Sequence, residues 1–282
     1  MSLEQLFDES DNPLSAEEQS LLLARVIAAA KQHLVGRRFV DLFGPLGPGV
    51  DALRIDRGPS TDRASLDLGF SDESEPLHRA TLAPTAIPII YRDFLIHWRD
   101  LAAAHDHAIP LDFSVAEQAA IACAQREDAL LFYGDASLGI PGLLSIPNRF
   151  QTTLGDWQQS GEGLAAVVRA AEVLRQENPL PYALLLSPRL FSLLHRVVEA
   201  SGTLEIDAIR SLVQGGVYVS SQLTADAAAL VAPGAQNFDL AVSLDLNVAY
   251  LGPDQMEHPF RVLEAVLPRI KRPQAICTFD GA

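Results

Sequence analysis

A chain of 282 residues, 48% hydrophobic and 20% charged, is long enough for one large globular domain or two modest ones, with a sizeable core. A formal net charge of −15 repels phosphate backbones and argues against direct nucleic-acid binding. No apolar run approaches the ~20 residues of a membrane span, and the acidic opening MSLEQLFDESDNPLS lacks a signal peptide's basic start and apolar core, so a cytoplasmic location is expected.

In chain order, residues 1–14 are polar and are expected to be flexible. Ser15-Ala16-Glu17-Glu18 fits a capping box. Leu23, Val26, Ile27, Ala30 and Leu34 recur behind it at helical spacing, which predicts a helix to about Val35, stopped by Gly36. GRRFVDLFGPLGPGV (36–50) then joins a basic pair, a short apolar run and a Gly/Pro corner that forbids regular structure. RASLDLGF (63–70) alternates, SDESEP is an acidic turn, and AIPIIYRDFLIHW (86–98) is rich in β-formers, together a long two-stranded arm. Ser114-Val115-Ala116-Glu117 has the form of a second capping box, opening a helix through about Leu131, roughly 27 Å long. A Gly/Pro loop follows over 134–145, then a helix over 163–176 and a buried strand, YALLLS. Ser187-Pro188 supplies an N-cap and an N1 proline for a helix carrying Leu190, Leu193, Leu194 and Val197. A short helix near 205–213 ends at Gly215-Gly216. Strands are expected near 217–220, 228–232, 239–250, 259–269 and 274–279.

The residues that carry chemistry elsewhere do not converge. Gly161-Glu162-Gly163-Leu164-Ala165-Ala166 matches GxGxxA, but no strand directly precedes it and no acid follows about 20 residues on. His105-Asp106-His107 could hold a metal, although residues two apart do not share a helix face; a solvated loop is the plainer reading. His33, His78, His97, His195 and His258 are scattered singly. Trp98 could stack on a planar ligand or pack against a neighbour. Arg37 and Arg38 could grip an anion or make surface ion pairs. Cys123 and Cys277, far apart and without a CxxC, read as buried thiols. No catalytic residue, metal site or cofactor is assigned. The residues alone describe a structural or binding protein with an arm, a long helix and loops built for contact.

GRRFVDLFGPLG after a helix beginning NPLSAEEQ resembles the encapsulin shell-protein family, the linocin-like nanocompartment proteins. Three further blocks agree in order: REDALLFYGDASLGIPGLLS (126–145), LVQGGVYVS (212–220) and the closing DLAVSLDLNVAYLGPDQMEHPFRVLEAVLPRIKRPQAICTF (239–279). The resemblance implies an α+β fold, the major capsid fold of the phage Hong Kong 97 type, with a peripheral domain, an extended loop and an axial domain. Mapped onto this chain, residues 15–59 hold the cargo-docking helix and inner-wall segment and 60–98 the extended loop. Residues 99–139 and 239–282 form the peripheral domain with its spine helix, and 140–238 the axial domain.

It implies equally a homo-oligomeric icosahedral shell of sixty copies or a multiple, closed by repeated contacts around symmetry axes. That shell would enclose cargo enzymes through a short targeting peptide, with iron-storage or peroxidase-type cargo the inherited expectation. By position, Leu22, Val26, Ala29 and Ala30 would form the apolar floor for the peptide, and Arg37 and Asp41 its polar contacts. Ser201, Gly202, Thr203 and Leu204 align with the five-fold pore loop, with Glu205 adding negative potential beside it. Ile87, Ile89 and Ile90 of the extended loop would need a partner on a neighbouring copy. Two rivals stand beside this reading. A phage or prophage major capsid protein would package DNA, but a helix starting by residue 15 fits cargo docking better. A secreted bacteriocin or protease lacks both a signal peptide and a catalytic set.

Overall fold

The computed structural model describes residues 12–55, 84–107, 109–197 and 202–280. Helix α1 (Ala16–His33) starts as expected: the Glu18 N–H donates to Ser15 Oγ at 3.3 Å, and the Ser15 N–H donates to Glu18 Oε2 at 2.8 Å. A 3-10 turn (Gly36–Arg38) leads into the short strand β1 (Asp41–Phe43). β2 (Ala52–Leu53) and β3 (Thr85–Ala86) pair antiparallel, so the chain leaves the described body and returns to it at one place. The alternating 63–70 segment and most of the expected arm lie outside the described residues, as do residues 1–11 and Ser201. β4 (Ile89–His97) follows, then α2 (Trp98–His107), α3 (Ser114–Tyr133), and the small ladder of β5 (Gly134–Asp135) with β6 (Ile140–Pro141).

The rest of the chain forms β7 (Phe150–Thr153), α4 (Glu162–Leu174), β8 (Tyr182–Leu186), α5 (Pro188–Leu193), α6 (Glu205–Val213), β9 (Gln214–Val219), β10 (Ala228–Val231), the long β11 (Phe238–Tyr250) and β12 (Glu257–Ile270), and β13 (Ile276–Asp280).

Two sheets organise the molecule. The first has the order β1-β11-β12-β4, antiparallel except for β1, which runs parallel to β11. α3 lies along β4 and β12, and α1 lies along α3. The second has the order β7-β13-β10-β8-β9. Its three middle strands, β13, β10 and β8, are buried on both faces, and the two-residue period splits them cleanly. Ala183, Leu185, Ala229, Val231 and Ile276 point into a core shared with α1, α3 and the β11–β12 hairpin. Leu184, Leu186, Ala228, Leu230, Cys277 and Phe279 point into a second core under α4 and α6. Both cysteines are free and buried, and burial pushes each thiol up to about 12.

Three sequence expectations change. The first concerns β13, assigned to the peripheral domain with the closing hairpin. It instead crosses into the second sheet, antiparallel to β10 and parallel to β7. The second is the solvated loop around His105-Asp106-His107, which is the last turn of α2; Leu101-Ala102-Ala103-Ala104 supplies strong helix formers, and Leu101 is buried. The third is the second capping box, which does not form. Asp112 takes the Ser114 N–H at 2.8 Å and its hydroxyl at 3.1 Å, while Glu117 reaches Arg25 instead.

The Gly/Pro corner is pinned to β11. Leu46 N–H donates to the Val242 carbonyl and Gly47 N–H to that of Ser243, while the Ser243 hydroxyl donates to Gly47 and Val50 carbonyls. Gly44 sits at φ 140°, and a Cβ there would stand 2.2 Å from the Val242 carbonyl oxygen, so only glycine fits.

Candidate assembly and cargo-docking surfaces

The basic pair after α1 divides. Arg38 is exposed, whereas Arg37 turns inward to a cluster of carboxylates. Its Nε lies 2.9 Å from Glu127 Oε1, and its Nη2 lies 2.6 Å from Glu127 Oε2 and 3.0 Å from Glu264 Oε2. Its Nη1 donates to Asp245 at 2.7 Å. Burial works against the guanidinium charge, but the bonds from Glu127 and Asp245 outweigh it and raise its pKa. Next to Glu127 in sequence, Asp128 accepts the Val35 N–H at 3.0 Å and the Gly36 N–H at 2.8 Å. The 36–43 segment is thus tied to α3 by a buried, largely charge-assisted network.

That network redefines the six positions carried over for a cargo peptide. Leu22, Val26 and Ala30 are buried in the larger core with Ala116, Ala120 and Cys123 of α3, so they offer no open floor. Arg37 is already committed to three carboxylates. Ala29 is half-buried and Asp41 is exposed. Beside Asp41, Leu42 and Phe43 are 49% and 42% exposed on β1, an edge strand whose one partner among the described residues is β11. The Arg269 guanidinium stands 3.9 Å from the Phe43 ring centre, held from behind by Asp239 through two 2.6 Å bonds. The sequence reading passed over Leu42 and Phe43, although a short apolar strand on a wall turn was the available signal.

Of the pore-loop positions, Gly202, Thr203 and Leu204 precede α6. Glu205 does not face a pore. It is 1% exposed, and its carboxylate accepts Leu164 N–H at 2.6 Å and Gly161 N–H at 3.4 Å. It therefore fills the anion-seeking N-terminus of α4. That also disposes of the GxGxxA match, since the amides that would hold a phosphate hold Glu205, and Leu194 closes over Gly163.

A further apolar exposure lies at the opposite edge of the first sheet. Among the described residues β4 pairs with β12 alone, and Ile89, Tyr91 and Leu95 on it are more than half exposed. Between β4 and α3 runs an open groove of about 620 Å³ lined by Phe94, Leu95, Val115, Ala119 and Ala122. Of the three isoleucines expected to await a partner, Ile87 and Ile90 are buried in their own core, and only Ile89 is unpartnered, 61% exposed. Trp98 lies at the surface against its own neighbours, 5.8 Å from the His97 ring and 5.5 Å from the Arg99 guanidinium. His258 bonds Tyr250 and His195 bonds the Phe191 carbonyl, both structural contacts. Among the described residues, no group of three or more His, Cys, Asp or Glu could hold a metal ion.

The architecture is a long helix laid along a hairpin sheet, with a second sheet sharing its core and β1 and β4 at the edges of the first sheet among the described residues. The fold is that of phage Hong Kong 97-type capsids. The structure superposes on a chain of the virus-like particle from Pyrococcus furiosus with a TM-score of 0.76 at 19% identity, covering 94% of this chain and 100% of that one. It matches the capsid of Myoviridae phage XM1 with a TM-score of 0.64 at 10% identity, covering 88% and 92%.

At those identities the likeness shows the fold; sequence decides the kind of shell. A family model described as an encapsulating protein for peroxidase matches residues 4–267. The type 1 encapsulin shell protein of Myxococcus xanthus (strain DK1622) is 47% identical over 274 residues, 97% of this chain and 96% of that protein. The chain belongs to the encapsulin shell-protein family, and its copies build a homo-oligomeric, capsid-like wall.

Proposed function

We propose that this protein closes into an icosahedral shell of sixty copies or a multiple, in the cytoplasm, around enzymes that carry a short targeting peptide. The family match over residues 4–267 carries this reading. The family description names peroxidase, which makes a peroxidase-type enzyme the first cargo to look for. In the shell, the first sheet with α1 and α3 serves as the peripheral lobe, the second sheet with α4 and α6 as the axial lobe, and the loop of residues 201–204 borders a pore. The wall itself needs no catalytic residue. A phage-capsid role finds support only in fold likeness, since the XM1 match is 10% identical.

Cargo docking is assigned to the open edge of β1. Leu42 and Phe43 offer apolar surface, and Asp41 and Arg38 offer polar contacts beside them. A peptide that buries a few apolar side chains there gains retention from repetition over many subunits. The test is native purification, electron microscopy and mass spectrometry of the particle interior. Wild-type particles are expected to be hollow and loaded with one enzyme. The pair Leu42→Asp and Phe43→Asp should leave particles intact but reduce cargo at least tenfold. Full cargo in that variant would refute the docking assignment, and particles packed with DNA would refute the shell reading itself.

A further inference from the structure

Glu264 is the most unusual ionisable group among the described residues. It lies on β12, 1% exposed, opposite a β-bulge: Leu244 pairs with Ala265 and Asn247 with Leu263, so Asp245 and Leu246 together oppose it. The bulge swings Asp245 toward Arg37. One guanidinium therefore serves three carboxylates, those of Glu127, Glu264 and Asp245. Glu127 takes most of it, through contacts to both Arg37 Nε and Nη2, while Glu264 receives a single 3.0 Å bond on Oε2. Its other oxygen, Oε1, is buried and has no donor. An ionised carboxylate with an orphaned oxygen, buried beside a second carboxylate, is a costly arrangement. A proton removes both faults, because it neutralises the surplus charge and turns Oε1 into a donor, with Glu127 in reach as acceptor.

We infer that Glu264 is held as a neutral acid in the folded shell protein and shares its proton with Glu127, making the junction of the 36–43 segment, α3 and the β11–β12 hairpin a proton-loaded latch that weakens as pH rises. The charges that face this junction come from the elements packed against it. α3 presents Glu127 and the Cys123 thiol, the 3-10 turn presents Arg37, and β11 presents Asp245. Arg92 of β4 stands opposite Val262, two residues along β12, and bears on Cys123. Lys31 of α1 bears on Asp245, and Arg38 on Asp128. Of these cations, Arg37 alone bonds Glu264 among the described residues. Burial first, and the neighbouring Glu127 charge second, hold its pKa well above the carboxylate range.

The folded protein thus binds a proton that the unfolded chain, with an ordinary Glu value of about 4.3, gives up. The contribution of Glu264 to stability is fully present below that value and falls as pH rises toward its folded value, by up to about tenfold in the folded-to-unfolded ratio per pH unit. The test compares assembled wild-type particles with Glu264→Gln, a neutral isostere. Infrared difference spectra at neutral pH should show a protonated-acid carbonyl band in wild type that Glu264→Gln removes. The thermal midpoint of wild type should fall relative to Glu264→Gln as pH rises above the unfolded Glu value of about 4.3. Because the other carboxylates are common to both, the difference isolates Glu264. Where Glu264→Gln fails to assemble, Glu127→Gln decides. Glu264 then becomes Arg37's principal carboxylate and the acid band should vanish there too. Parallel pH profiles, or an acid band surviving in either variant, would overturn the latch.

Discussion

Gly36 carries more constraint than its place at a helix end suggests. Its N–H donates to Asp128, and a Cβ added to it would lie 2.3 Å from Leu131 Cδ2 and 3.1 Å from Asp128 Oδ1. Gly36→Ala would push α1 away from α3 at the point where Asp128 and Arg37 tie the wall segment down. A cost of about 1–3 kcal/mol is expected, read as a lowered thermal midpoint of the particle. Sequence alone shows Gly36 as a helix stop and Arg37 as a surface cation. Its partner Glu127 is 90 residues away, and no spacing rule reaches that far. A separation of 41 residues likewise hid the role of Glu205, which aligns with the pore loop by position but accepts the Leu164 N–H at the start of α4.

At the scale of elements, most of the chain was legible, because period and capping are local. The capping box at Ser15, the Ser187-Pro188 helix start and the strands from β9 to β12 fall close to where their sequences put them. What failed was the choice of use for a correct pattern. The regular stripe of Leu22, Val26 and Ala30 on α1 was read as a floor for a guest, and the core had the prior claim on it. α2 was missed because the β-rich run before it ends in Trp98 with no visible cap. The start of α3 gives a test of which acceptor matters. Asp112→Ala should cost about 1 kcal/mol of stability and Ser114→Ala much less, measured by thermal melting of the two variants. Equal losses would return the cap to Ser114.

At the scale of the molecule, the capsid fold came from four separated sequence blocks, while the strand order departs from the closing-hairpin reading at β13. Hairpin logic kept β13 with its neighbours β11 and β12, whereas the turn at Pro273–Ala275 redirects the chain to the other sheet. Pore assignment also belongs at this scale, since it depends on how copies meet. Thr203→Trp should narrow the proposed opening and slow substrate turnover by encapsulated cargo several-fold, while the same cargo outside the shell keeps its rate. Equal rates inside the variant and wild-type shells would move the pore elsewhere.

Strand β13 sits between β7 and β10, filling a slot framed more than 100 residues earlier on one side. During synthesis β7, β8, β9 and β10 emerge first, and the gap between β7 and β10 stays vacant until residues 276–280 leave the ribosome. The second sheet is therefore continuous only once residues 276–280 have filled that slot, so its closure joins the end of the described chain to strands laid down far earlier.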